Sequence, residues 1–234
     1  MVRIASGVAI LLVAIALLNT AYQIIRKPTE LFALVGNALD KEPTETWRHY
    51  GPLFRTYSTA TIPPELLAAL AQVESSGNPV ARTYWRWRWS FNPLAIYKPA
   101  SSAVGLFQMT DPALSEAARF CIRGNAVIVS GCGPAFLYIR AIPSHAIELA
   151  SVYLDRNVGL VLSLAGDVKP NAQQRQDLAT VIHLCGAGPA TAFARRKFQT
   201  IAGERCGDHL VAGYLARVNA MKRQFARLAA EDGG

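Results

Sequence analysis

Residues Ile4 to Ile25 form a run without one charged side chain, with Arg3 before it and Arg26 and Lys27 after it. An all-apolar helix must be covered on every face, by protein or by lipid. At 1.5 Å per residue this run is about 33 Å long, close to the hydrocarbon thickness of a bilayer. Two readings fit: an uncleaved membrane anchor over residues 1–27, or a signal segment with its apolar part at Val8 to Leu18. A cleavage site wants small residues at −3 and −1, and cutting after Ala21 would put Asn19 at −3. The anchor reading is preferred. The flanking charges orient it only weakly, since Arg3 and the amino terminus oppose Arg26 and Lys27.

The remainder of the 234-residue chain is long enough to bury a core, and 51% hydrophobic residues argue against disorder. A formal net charge of +8 favours anionic partners: a membrane surface, nucleic acid or an acidic cell-wall polymer. The basic last helix, with Arg217, Lys222, Arg223 and Arg227, reads as a solvated face, so no nucleic-acid partner is expected. The four histidines (His49, His145, His183, His209) lack metal-binding spacing and read as surface or satisfied helix residues. No C-x-x-C pair occurs among Cys121, Cys132, Cys185 and Cys206. Neither a metal nor another cofactor is therefore expected. Four cysteines allow three pairings. In an exported domain Cys121–Cys132 and Cys185–Cys206 are the economical pairs, each closing a loop between neighbouring elements. In a cytosolic protein all four would be reduced, and the leading apolar run favours export.

Residues 28–60 read as a helical connector broken at Gly36, Pro43 and Gly51–Pro52. From residue 61 to 230 the pattern is that of one mainly α domain. "TIPPELLAALAQVE" offers Thr61 as a cap, prolines at a helix start, and a stripe of Leu66, Leu67, Leu70 and Val73. Further helices are expected from about Pro112, over "SHAIELASVYLDRNVGLVLSL" with Ser144 as cap, over "QQRQDLATVIHLCG", and from Asp208 to Ala230. Gly124 to Gly133 reads as a loop or small β-hairpin.

Glu74 ends the first of these helices on its apolar side. A carboxylate there is costly unless something uses or satisfies it. Desolvation and the negative helix end should both raise its pKa and keep it partly protonated, as a general acid requires. The bland alternative is a solvated Glu at a frayed helix end.

The residues C-terminal to Glu74 separate these alternatives. Glu74–Ser75 and Asn78–Pro79 precede "ASSAVGLFQMT", with Ala103, Gly105, Leu106, Phe107, Gln108 and Met109. "AIELASVYL" (146–154), "LCGAGPA" (184–190) and "GYLARVNAM" (213–221) come later. This ordered set resembles the catalytic domain of lytic transglycosylases of the soluble-transglycosylase (SLT) type, in the lysozyme-like superfamily, over residues 61 to 228. The resemblance implies a lysozyme-like α-helical fold and cleavage of peptidoglycan between N-acetylmuramic acid and N-acetylglucosamine without water. Glu74 would be the single acid and base, and the products would carry 1,6-anhydro ends. It implies substrate contacts from Ser75, Ser102, Gly105, Phe107, Gln108, Met109 and Tyr214. The domain would face the periplasm from an inner-membrane anchor, with envelope-assembly proteins as further partners. The chain departs from the family where the usual turn Tyr and Asn fall on Cys185 and Gly186, and where a helix Asn and Gly fall on Ala146 and Ala150. Most glycosidases need two carboxylates, and Asp111, Glu116 and Glu148 could supply a second. A muramidase on the same fold, or a non-catalytic glycan-binding component of an envelope assembly, are the competing readings.

"RTYWRWRWSF" (82–91) lies between two Asn-Pro pairs. Period-2 alternation would place Trp85, Trp87 and Trp89 on one face and Arg86 and Arg88 on the other. The stretch is expected to wall the glycan cleft, with Trp89, Arg86 and the nearby Tyr97 touching sugar. The alternatives are tryptophans packed on the core, a membrane-surface patch and, last, a nucleic-acid stacking platform.

Overall fold

The computed structural model describes residues 2–232. Its helices are α1 (Val2–Arg26), α2 (Pro43–Thr56), α3 (Pro64–Ser75), α4 (Asp111–Ala117), α5 (Pro143–Ala165), α6 (Ala172–Cys185), α7 (Ala187–Arg195) and α8 (Val211–Asp232). Three short antiparallel pairs complete it: β1 (Trp85–Trp87) with β2 (Tyr97–Pro99), β3 (Cys121–Arg123) with β4 (Ala126–Ile128), and β5 (Arg205–Cys206) with β6 (His209–Leu210). The architecture is mainly α and lysozyme-like, as expected.

Helix α3 is the axle. Six consecutive residues, Leu66 to Ala71, are buried, so the helix is covered on all faces rather than along one stripe. Its alanines let α8 and α2 approach closely, while Leu66, Leu67 and Leu70 fill the space between them. Each such leucine contributes roughly 1.5–3 kcal/mol by leaving water. Helix α5 forms the second layer against α6 and α7.

Proline stands in the first turn of α2, α3, α4 and α5. Pro64 and Pro143 occupy first-turn positions where their missing N–H costs nothing, and neither Thr61 nor Ser144 caps its helix as the sequence suggested. Only Asn171 of α6 forms a full capping box among the described α-helices, with Gln174.

Helix α2 runs unbroken through Gly51 and Pro52, where a break was expected. Trp47, Tyr50 and Phe54 are buried in the common core, and that packing outweighs the local cost of an interior proline. The Trp47 indole N–H also donates to Asp232 at 2.7 Å, joining α2 to the end of α8.

Both cystines are formed: Cys121–Cys132 brackets the β3–β4 hairpin, and Cys185–Cys206 joins the end of α6 to β5. The apolar part of α1 is exposed. Its last turns are not: buried Asn19 and Gln23 donate to the carbonyls of Tyr97 (2.8 Å) and Leu94 (2.5 Å). Just beyond, the buried carboxylate of Glu30 meets Lys27 (3.0 Å), Arg82 (3.1 Å) and the Trp85 indole N–H (2.6 Å).

Candidate active site

The end of α3 delivers Glu74 to a cleft. Immediately after it, Ser76 adopts the left-handed conformation (φ 51°) and closes the helix with its N–H on Ala71 and Gln72 carbonyls. Gly77 comes next at φ 66°, and a Cβ there would lie 2.2 Å from the Thr46 hydroxyl oxygen, so only glycine fits. The chain thus turns away abruptly and leaves the carboxylate at the lip. The Ser75 hydroxyl lies 2.9 Å from the carbonyls of both Ala71 and Leu106. It fastens the helix end to the 103–109 segment.

Two elements from the far side of the chain meet the carboxylate. The Tyr214 hydroxyl, from the first turn of α8, donates a short hydrogen bond to Glu74 Oε1. His183 Nε2, from the last turn of α6, lies 3.5 Å from the same oxygen. His209, on β6, has its ring 6.1 Å from that of Tyr214. The Cys185–Cys206 cystine sits between these histidines in sequence and holds the end of α6 to the β5–β6 pair.

These neighbours reverse the expected titration of Glu74. Burial is the largest influence and pushes the carboxyl up. The hydrogen bond and charge of His183, the Tyr214 hydroxyl and the charge of His209 pull the other way, and together they hold Glu74 below the usual carboxylate range. Burial and the helix end alone give the wrong sign because histidines that look unrelated in sequence converge on the group. Tyr214 moves oppositely: burial first, then the adjacent carboxylate, push its phenol well above its ordinary value, so it remains a donor.

Glu74 divides two cavities. One, of ≈ 180 Å³, is lined also by Gln108, Met109, Thr110, Tyr153, His183 and His209. The other, of ≈ 830 Å³, runs from Glu74 and Ser75 past Arg82 to Trp85 and Tyr97, with the strand of chain from Glu30 to Asp40 along its side.

Residues 53–164 match the family model of the transglycosylase SLT domain. The chain carries an SLT domain. A search of curated proteins returns no match. The matched residues include all of α3 with Glu74, the Gln108 segment and nearly all of α5; His183, His209 and Tyr214 lie beyond them. The match supports transglycosylase-type action on peptidoglycan in general.

Within the SLT domain the residues singled out from sequence take different places. Gln108 lines the small cavity from a left-handed backbone (φ 44°), its amide donating to the Ala81 (3.0 Å) and Gly105 (3.1 Å) carbonyls. Met109 lines the same cavity. Gly105, at φ 82°, allows the turn: a Cβ would come 2.2 Å from the Arg140 carbonyl oxygen. Phe107 is 1% exposed and belongs to the core. Ser102 accepts the Asp111 N–H at 3.0 Å and so supports the start of α4. Tyr97 lines the large cavity, whereas Arg86 and Trp89 line neither cavity beside Glu74. His183 and His209 join the site without having stood out in the sequence, and Tyr153 joins them. Tyr153 had a signal in the Tyr-Leu pair of its helix; the histidines had none beyond flanking the second cysteine pair.

The three alternative carboxylates are engaged elsewhere. Asp111 pairs with Arg140 (2.5 Å) and Glu116 accepts from Asn157 (2.8 Å). Glu148 is buried, accepting the Ile122 N–H (2.9 Å) and the Tyr138 hydroxyl (3.2 Å). Burial and this carboxylate push Tyr138 up to about 12. Glu148 therefore braces β3 against α5. Glu148→Ala should lower unfolding stability by about 1–3 kcal/mol, through an orphaned buried donor. Measured below the new melting range, its products from peptidoglycan should be those of the wild type. A change of product type in that variant would contradict the bracing role.

Proposed function

We propose that this chain is a membrane-anchored lytic transglycosylase that cuts the β-1,4 bond between N-acetylmuramic acid and N-acetylglucosamine without water. The observation that carries this reading is that Glu74 is, among the described residues, the sole carboxylate on the small cavity, flanked by two histidines and a tyrosine. In the large cavity Glu30 and Asp40 are already occupied, by Lys27 and Arg82 and by Asn78 respectively. One acid with no second carboxylate fits an intramolecular displacement and not the usual two-carboxylate hydrolysis.

In the proposed reaction a glycan strand crosses Glu74 from one cavity to the other. The Glu74 carboxyl gives its proton to the glycosidic oxygen as the C1–O bond breaks. The resulting carboxylate takes the proton of the muramoyl C6 hydroxyl, whose oxygen forms the new bond to C1. The proton count closes and Glu74 ends as it began. A sugar that shields the carboxylate from solvent favours its protonated form. Gln108, Tyr153 and Thr110 would contact the sugar in the small cavity. Cys185 and Gly186 stand at the positions of the family's turn Tyr and Asn, and His183 lies two residues before that cysteine.

Digestion of purified sacculi with mass analysis of the products tests this. Anhydro-muramoyl ends support the reading, reducing ends would indicate a muramidase, and sacculus binding without release would indicate a glycan-binding protein. The site also makes a titration prediction. His183→Gln removes the strongest pull that lowers Glu74, so its pKa should rise. Activity that needs the protonated carboxyl falls as pH climbs through that pKa. The descending limb of the variant's pH–rate profile should therefore lie at higher pH than the wild type's. An unmoved limb would show that His183 does not tune Glu74.

The anchor belongs to the same reading. Helix α1 is long and apolar enough to cross a membrane, and two cystines fit an oxidising compartment. We place residues 1–27 in the inner membrane and the SLT domain on its extracytoplasmic side.

A further inference from the structure

The β1–β2 hairpin carries a surface that the glycan reaction does not use. Trp85 and Tyr97 face the large cavity, but Trp87, Trp89 and Phe91 are 74%, 101% and 110% exposed. Three large apolar side chains on one hairpin end form a patch, not scattered exposure. The same segment is strongly one-signed. Between Ser75 and Thr110 it holds Arg82, Arg86, Arg88 and Lys98 and no acidic residue. Arg82 is taken by Glu30, while Arg86 and Arg88 are exposed.

The position of this patch is fixed by α1. Asn19 and Gln23 stand one turn apart on one face and hold the hairpin through the Tyr97 and Leu94 carbonyls. Asn19 lies seven residues before Arg26, which puts the contact about 10 Å inside the charged end of the apolar helix. The polar layer on each side of a bilayer is only about 6 Å thick. A span with Arg26 at headgroup level thus carries the hairpin down to the boundary between headgroups and acyl chains. Trp and Tyr are favoured at that boundary, and Arg is favoured beside anionic headgroups. The carbonyl partners also accept an N–H from each of two amide side chains, which lipid could not do.

We propose that the tip of the β1–β2 hairpin, with Trp87, Trp89 and Phe91 and the arginines Arg86 and Arg88, is a second membrane attachment that seats on an anionic lipid surface beside α1. It rests on the reading of α1 as a membrane span. Trp87 stacks on Tyr97 with ring centroids 4.6 Å apart, so the patch and the cleft wall move as one piece. The lipid contact would hold the large cavity open toward glycan at the membrane surface.

The test uses the full chain in liposomes of phosphatidylethanolamine and phosphatidylglycerol. All four native cysteines are in cystines, so Trp89→Cys and, separately, Val13→Cys each offer one thiol for an environment-sensitive fluorophore. Quenching of both labels by a nitroxide carried on the lipid is the expected result. Adding Arg86→Ala or Arg88→Ala to Trp89→Cys should weaken hairpin attachment about fivefold for each arginine removed. Quenching at residue 13 with a water-exposed label at 89 would overturn the hairpin proposal and leave the span. No quenching at either would overturn both. A label at 89 that responds to soluble glycan strands and not to lipid would return the patch to the cleft.

Discussion

Glu74→Gln is expected to eliminate release of anhydro-ended fragments from sacculi while leaving the fold in place. A single positioned acid contributes about 10²–10⁴-fold, and in the proposed reaction one group serves as both acid and base. The loss should therefore sit at the upper end of that range. The amide is nearly isosteric, and its oxygen can still accept from Tyr214. The pairing with His183 involves a partly exposed carboxylate (side chain 19%), so its loss should cost little stability. Thermal unfolding and sacculus binding are the controls. Release at wild-type rate by this variant would remove Glu74 from the mechanism, whatever the products.

The second large effect is on stability. Replacing both Cys185 and Cys206 by Ser opens a loop closed across 21 residues. The chain-entropy relation gives about 3 kcal/mol for a loop of that length. For a domain of this size that corresponds to roughly 6–12 °C in melting temperature. Activity should fall further than stability does, because the same bond fixes the end of α6, which carries His183, against the pair that carries His209. Calorimetry with and without reductant checks this. Reduction should lower the wild-type melting temperature much more than that of the doubly substituted protein. Equal responses would mean that the cystine is not what holds this corner.

Glu74 is legible in the sequence because α3 is a continuous apolar helix, and a carboxylate ending such a helix stands out. The Gly105–Gln108 turn is legible for a related reason: only glycine suits its φ, and the polar side chain lies between apolar ones. The histidines are not. His183 and His209 are 26 positions apart, on different elements, and only the cystine and the start of α8 bring them to Glu74. No local pattern records such a meeting, and so the sequence points to the wrong sign for the Glu74 shift. The expected break in α2 fails for the converse reason. Local propensity at Gly51–Pro52 does disfavour helix, but burial of Trp47, Tyr50 and Phe54 outweighs it. In the Trp/Arg stretch the alternation holds over Trp85 to Trp87 and then ends, leaving Trp89 outside the strand.

The grip of α1 on the hairpin has a mechanical consequence. An enzyme on a long, slack leash samples a thick shell of wall, and its radius of action is set by the linker. Here the leash is cut short, because Asn19, Gln23 and Lys27 are all bound to residues 94–103. With α1 in a bilayer, the cutting edge is held at a fixed altitude within one domain diameter, about 40 Å, of the lipid. Glycan farther out lies beyond its stroke, however abundant it is.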